Sequence, residues 1–349
     1  MAMKPIPLSM MTLYADLTQR LALRDARPGS ISTKTDKGKK YLYAVEKDGQ
    51  ARVQRYLGPA NDAAAQDAAE QVRRAEIEAK ELRSTISALK QAKFPAPTIV
   101  QGRILEVLAN AGLFERGLTL VGTVAYQTYA GVVGAHLGAS SYVTNDIDLS
   151  VAEFVAADRE EDIGAILKRA DPRFEPHWHA SDKLPRVFKS PTFQVDVITR
   201  YGRGRKSPVL IADLGCAAVA LVFQEYLVED TLEVAALYGS GVLVRVPAPT
   251  NYAIHKLLVA QERGRTELAK RQKDLRQARE LMDVLIENDD SSFQESLDAT
   301  RERGKSWKTA INASLKEIGR DARQGRLPLP VQTTPPRIAR SVKRTARKR

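Results

Sequence analysis

The chain has 349 residues, 43% hydrophobic and 28% charged, a profile that allows two or three structural units around a packed core and excludes disorder throughout. No stretch approaches the roughly 20 apolar residues of a membrane span, the opening MAMKPIPLSMM lacks the apolar core of a signal peptide, and the single Cys216 excludes an intrachain disulfide framework; a cytoplasmic protein is expected. The formal net charge of +12 is unevenly spread: residues 321–349 hold nine Lys or Arg against one Asp, a net +8, so the body is only mildly basic.

From the N-terminus, residues 9–25 place Leu13, Leu17 and Leu21 at helical spacing and predict an amphipathic helix. The following SISTKTDKGKKYLYAVEKDGQARVQRYLGPA alternates β-favouring residues around the turn signal Asp48-Gly49 and predicts two or three strands. There Tyr41, Tyr43 and Tyr56 mix with Lys39, Lys40, Arg52 and Arg55, a combination that suits base stacking and backbone tracking, or packing of the sheet's own core. Residues 61–93, rich in Ala, Glu, Arg and Lys with pairs such as Glu70 and Arg74, predict a long helix or helical hairpin capped by Asn61 and ended near Pro95. Residues 1–95 are thus one unit.

A helix at QGRILEVLANAGLF opens the second unit, residues 96–250. The strand LTLVG, a helix VAYQTYAGVVGAHLG, the strand NDIDLSV, a charged helix near Arg159–Arg169, the strand FQVDVIT and strands in LEVAALYGSGVLVRVP predict an α/β (α+β) core with a mixed sheet. A helical module follows over 251–320, and the basic tail 321–349 reads as a disordered solubility segment or as an RNA tether.

In NDIDL, residues i and i+2 of a strand point the same way, so Asp146 and Asp148 share a face opposite Ile147 and Leu149. Two carboxylates about 4 Å apart repel by roughly 4 kcal/mol at an effective dielectric of 20, and a divalent cation offsets that. Hard oxygen ligands select Mg²⁺ or Mn²⁺. A lone DxD also suits a solvated strand end, but two features add to it. Gly122-Thr123 ends an apolar strand and opens a helix, which lets backbone amides approach a phosphate and adds a hydroxyl donor. In FQVDVIT, Phe193, Val195 and Val197 take one face and Asp196 the other, where it either joins the pair or faces water. Arg200, Arg203, Arg205 and Lys206 follow as a loop suited to phosphates or to solvent. His177 and His179 lack a third ligand at metal spacing, which speaks against zinc.

With these residues in order, the chain resembles the polymerase-beta-like nucleotidyltransferase superfamily and, more closely, the bacterial nucleotidyltransferase-fold family related to abortive-infection, type IV toxin nucleotidyltransferases. LVGTVAYQTYAG, TNDIDLS, FQVDVITR, VPAPTNYAIHKLLVAQERG and KRQKDLRQARELMDVL carry the resemblance, with YLYAVEKDGQARVQRYLGP before them. It implies that Gly122 and Thr123 hold the nucleoside triphosphate and that Asp146, Asp148 and Asp196 are the catalytic metal ligands. It also implies a nucleotide-side role for Lys256, and less defined roles for Lys273 and Asp274. Thr123 stands where the superfamily commonly has Ser or Gly, and the gap to Asp146 is long, leaving GASSYVT as a candidate extra element.

The resemblance implies in-line attack by an acceptor hydroxyl on the α-phosphorus of a nucleoside triphosphate, with Mg²⁺ or Mn²⁺ bound and pyrophosphate leaving. The acceptor is expected to be RNA, tRNA included, ahead of protein, and an antitoxin or other regulatory partner is compatible with it. The alternative is a catalytically silent nucleic-acid-binding protein of the same fold, although a binder of polyanions gains nothing from three clustered acids.

Overall fold

The computed structural model describes residues 4–138, 144–151, 161–178, 183–201 and 208–320. After a short strand β1 (Lys4–Pro5), helix α1 (Leu8–Ala22) buries Tyr14, Leu17 and Leu21 along one stripe. Strands β2 (Gly29–Asp36), β3 (Lys39–Asp48) and β4 (Ala51–Pro59) form an antiparallel three-stranded sheet. Its tight turns use left-handed residues, Lys37 and Gly38 at the first and Gly49 at the second.

Helix α2 (Ala63–Gln91) is one continuous helix and not a hairpin, and its N-cap is Asp62, which accepts from the Ala64 amide, where the sequence pointed to Asn61. Its buried face carries Ala65, Ala69, Ala75 and Ala79, small enough for close approach to the sheet, where Gly58 meets Ala65. Helix α3 (Ile99–Asn110) starts at a capping box made by Thr98 and Gln101.

The core begins with β5 (Leu118–Val121), which runs directly into α4 (Gly122–Tyr126). The stretch read as a single helix is broken: α5 (Ala130–Val133) follows a turn, Gly134 stops it in the left-handed region, and β6 (Ala135–His136) pairs with β1. Then come β7 (Asp146–Val151), α6 (Ile163–Ala170), β8 (Glu175–His177), β9 (Val187–Lys189) and β10 (Gln194–Arg200). Strands β11 (Val209–Ile211) and β12 (Cys216–Leu221) precede the one-turn helix α7 (Gln224–Leu227).

The central sheet has the order β11-β12-β10-β7-β5, with β8 and β9 attached through β10. Strands β7, β10 and β12 are parallel, while β5, β9 and β11 run against their neighbours, so the sheet is mixed. A hairpin of β13 (Thr231–Ala236) and β14 (Val242–Pro247) packs beside β5.

Three helices complete the described chain: α8 (Pro249–Glu262), α9 (Leu268–Glu302) and α10 (Lys305–Glu317). Proline at the start of α8 costs no hydrogen bond. Helix α9 bends at Asp289, whose extended backbone (φ −157°, ψ 87°) and carboxylate, accepting from the Ser292 amide, restart the helix as an N-cap does. Tyr126, Tyr129 and Tyr252 are fully buried together, with the Tyr129 and Tyr252 ring centroids 5.1 Å apart, and they fasten α8 to the segment after β5. Among the described residues, no helix is long and apolar enough to cross a membrane. The tail 321–349 lies outside the described residues.

Candidate active site

Strand parity builds the floor of the site. Ile147 and Leu149 are fully buried behind β7, and Val195 and Val197 behind β10, leaving Asp146, Asp148 and Asp196 half-buried on the opposite face. The parallel register sets Asp196 directly beside Asp148 and Gln194 beside Asp146. One carboxylate oxygen from each aspartate lies within 4.8 Å of the others, and among the described residues this is the one group of three such ligands placed to hold a metal ion.

The outer two acids have hydrogen-bond support. Thr144 donates to Asp146, and Gln194 Nε2 lies 2.8 Å and 2.7 Å from the two oxygens of Asp196. Burial, followed by the charges of Asp146 and Asp196, pushes the Asp148 carboxyl up to about 7, against the opposing pull of Lys256 and Arg263. Burial also raises Asp196, against the Gln194 hydrogen bond and with Asp146 adding to it. Three hard oxygen donors that repel one another in a half-buried position fit a divalent cation such as Mg²⁺ or Mn²⁺.

Gly122 is required here on geometric grounds alone. Val121 pairs with Asp148, so the next residue turns over that carboxylate; Gly122 sits at φ +67°, and a Cβ there would collide with Asp148 Oδ2. Thr123 is buried beside it. Helix α4 has only five residues, so whatever hold this segment has on an anion comes from its first free amides rather than from a long helix dipole. The Tyr252 hydroxyl donates to the Gly122 carbonyl at 2.9 Å and lies 3.0 Å from Gln277 Oε1, tying the turn to α8 and α9.

Lys256 is buried, unlike a solvated helix lysine. Its Nζ is 2.6 Å from Asp274 Oδ1 and 5.3 Å from the Tyr252 ring centroid, while Arg263 Nε is 3.0 Å from Asp274 Oδ2. Burial alone would raise the Asp274 carboxyl, but the Lys256 ammonium, the Arg263 guanidinium and their hydrogen bonds overcome it and hold Asp274 below its ordinary value. Lys273 is lowered by burial and by Lys256, with Asp146, Asp274 and Asp148 pulling the other way, which puts this ammonium in the field of the triad. The structure therefore brings Gly122, Thr123, Asp146, Asp148, Asp196, Lys256, Lys273 and Asp274 into one neighbourhood.

Sequence reasoning missed Thr144, Gln194, Tyr252 and Gln277. Two had a signal: Gln194 is two residues before Asp196 in the strand, and Tyr252 is one helical turn before Lys256. His255 is buried with both ring nitrogens lacking hydrogen bonds, and burial followed by Lys256 pushes it down to about 3, so the ring is neutral. Burial raises the Cys216 thiol to about 12, as befits an inert structural residue. Arg200 ends β10 on the surface; Arg203, Arg205, Lys206, His179 and most of the GASSYVT segment lie outside the described residues.

A nucleotidyltransferase family model matches residues 100–301, more than half of the chain and a span that holds every residue of the site. No curated protein matches the chain. A solved structure described as an antigenic nucleotidyltransferase-like protein from Paracoccidioides brasiliensis is similar over 67% of this chain and 93% of its own, at 15% identity and a TM-score of 0.30. On the family match, the chain belongs to the nucleotidyltransferase family.

Proposed function

We propose that the protein is a metal-dependent enzyme that moves a nucleoside monophosphate from a nucleoside triphosphate to a macromolecular acceptor, RNA ahead of protein. The observation that carries this reading is the convergence of Asp146, Asp148 and Asp196, where burial and mutual repulsion together leave Asp148 in need of a cation. Asp146 and Asp148 would hold Mg²⁺ or Mn²⁺ on the nucleotide side, with Asp196 completing the set toward the acceptor. The bound cation supplies charge withdrawal from phosphate oxygens and a more acidic acceptor hydroxyl.

The chain's own groups do the rest. Amides at Gly122 and the Thr123 hydroxyl receive phosphate oxygens, and Tyr252 holds that turn in place through the Gly122 carbonyl. Lys256, fixed by Asp274 and so spared the entropy of ordering, stands as a positioned cation that offsets charge on the leaving pyrophosphate. A bond forms between the acceptor oxygen and the α-phosphorus as the bond from that phosphorus to the bridging oxygen breaks; the acceptor proton passes to Asp196 or to water.

The test is incubation with each α-labelled nucleoside triphosphate, Mg²⁺ and total cellular RNA or protein. Label on RNA supports the reading as stated, label on protein alone moves the acceptor, and no label with any combination favours a silent nucleic-acid binder. A toxin role with a neutralising partner rests on the resemblance to toxin nucleotidyltransferases; growth arrest on expression of the wild type, absent with Asp148→Asn, would support it.

A further inference from the structure

The three-stranded sheet of β2, β3 and β4 has two faces of opposite character. Leu42, Ala44 and Gly58 face α2, and the sheet's buried acids share that side: Glu46 pairs with Arg27 and Arg55, and Asp48 with Arg169. On the other face the register sets Lys34 opposite Tyr41 and Tyr43 opposite Tyr56. The Tyr56 ring lies 5.4 Å from Tyr43 and 6.2 Å from Tyr41, centroid to centroid, and Lys34 Nζ is 4.7 Å from the Tyr43 centroid. Tyr56 is 53% exposed. A tyrosine cluster serving the sheet's own core would lie against α2, and this one lies on the side away from it.

The charges on this face are sorted. By strand parity Lys34, Lys39, Lys47 and Arg52 project here with Asp36 as the acid among the strand residues, and Lys47 is already paired with Glu106 of α3. Lys37 and Lys40 add charge at the exposed tip. Three exposed or half-exposed aromatic rings set among Lys34, Lys39 and Arg52, none of which has an ion-pair partner within 4.0 Å among the described residues, match a polyanion that also offers flat apolar faces. That describes single-stranded nucleic acid, whose unpaired bases stack on tyrosine while lysines meet its phosphates. A duplex keeps its base faces hidden, and a second copy meeting this face would set lysines against lysines.

We propose that the outer face of this sheet, centred on Tyr41, Tyr43 and Tyr56, is a docking platform for single-stranded RNA. The assignment builds on the RNA-acceptor reading above, but its test reads binding and not transfer. Fluorescence anisotropy of the full chain with a labelled, unstructured RNA of about 12 nucleotides, across a salt series, separates stacking from charge. Tyr43→Ala with Tyr56→Ala should weaken binding roughly tenfold or more without changing the salt slope, and Phe at both positions should restore it. Lys34→Ala with Lys39→Ala should reduce the slope by roughly 0.7 per lysine. Unaltered melting temperature and nucleotide binding of the variants would show that the fold and the other site are intact.

Wild-type affinity in the alanine variant, equal affinity for duplex RNA, or a dimer lost with Tyr56→Ala would each overturn the platform. Tyrosine-dependent RNA binding by a protein that transfers no nucleotide would uphold the platform and remove the transfer reading. Transfer to RNA with no effect of the tyrosines would do the reverse.

Discussion

Two aspartates a few side chains apart, Asp148 and Asp274, show how neighbours decide what a buried charge does. Asp274 faces Lys256 and Arg263 and is held below its ordinary pKa despite burial. Asp148 is driven up to about 7 by burial, and Asp146 and Asp196, which it faces, add to the rise. Asp274 is complete within the fold, with its role exhausted in fixing two cations. On the proposed function Asp148 is complete only with a cation bound, and such unresolved electrostatic tension is a mark of a functional position.

Neutralising each acid should therefore have opposite consequences. Asp148→Asn is expected to lower nucleotide transfer on the order of 10³-fold, since charge held for the transition state is lost, while the metal-free protein melts at the same temperature or higher. Asp274→Asn strands Lys256 without a full counter-charge in a buried position and should cost about 3 to 5 kcal/mol of stability by chemical denaturation. Equal destabilisation by the two would erase the distinction.

Acid and base should also act on the two in opposite directions. Because folding raises Asp148 from 3.8 to about 7, the unfolded chain releases this proton first; metal-free stability contributed by the protonated group is present below pH 4 and lost as pH rises toward 7. The loss is no more than about 4 kcal/mol and should shrink in Asp148→Asn. Asp274, depressed by folding, contributes stability above its ordinary value that is lost as pH falls through and below it. Denaturation midpoints between about pH 2 and 8 in chelator, for wild type and both variants, separate the contributions.

Smaller still is the expected effect of Gly122→Ala. A left-handed backbone with a Cβ costs about 1 to 3 kcal/mol, and the collision with Asp148 should displace the carboxylate and weaken metal binding as well. A substitution that lowers stability but leaves metal affinity unchanged would detach Gly122 from the site.

The floor of the site was legible because a strand's period of two is rigid. Asp146, Asp148 and Asp196 could be assigned faces from Ile147, Leu149, Val195 and Val197 alone, and the register then had only to align β7 with β10. The walls were not legible in the same way. Nothing local in the sequence says that Lys256 turns inward to Asp274, 18 residues later on another helix, or that Tyr252 reaches back 130 residues to the Gly122 carbonyl. Those contacts depend on how α8 and α9 pack, which many helical sequences satisfy in many ways. The stretch after Gly122 failed for local reasons: its apolar residues suit a helix, but a turn at residues 127–129 interrupts it and Gly134 ends the second piece in a conformation that periodicity does not register.

The central claim, that the triad is a cation site left one charge short, is tested most directly by titrating Mn²⁺ into the protein in buffers of different ionisation enthalpy. At pH 6 the wild type should bind the metal and release close to one proton as Asp148 ionises, and at pH 8.5 it should bind with little release. Asp148→Asn should bind far more weakly and release none. Metal binding by Asp148→Asn equal to that of the wild type, or wild-type binding at pH 6 with no proton released, would contradict the account.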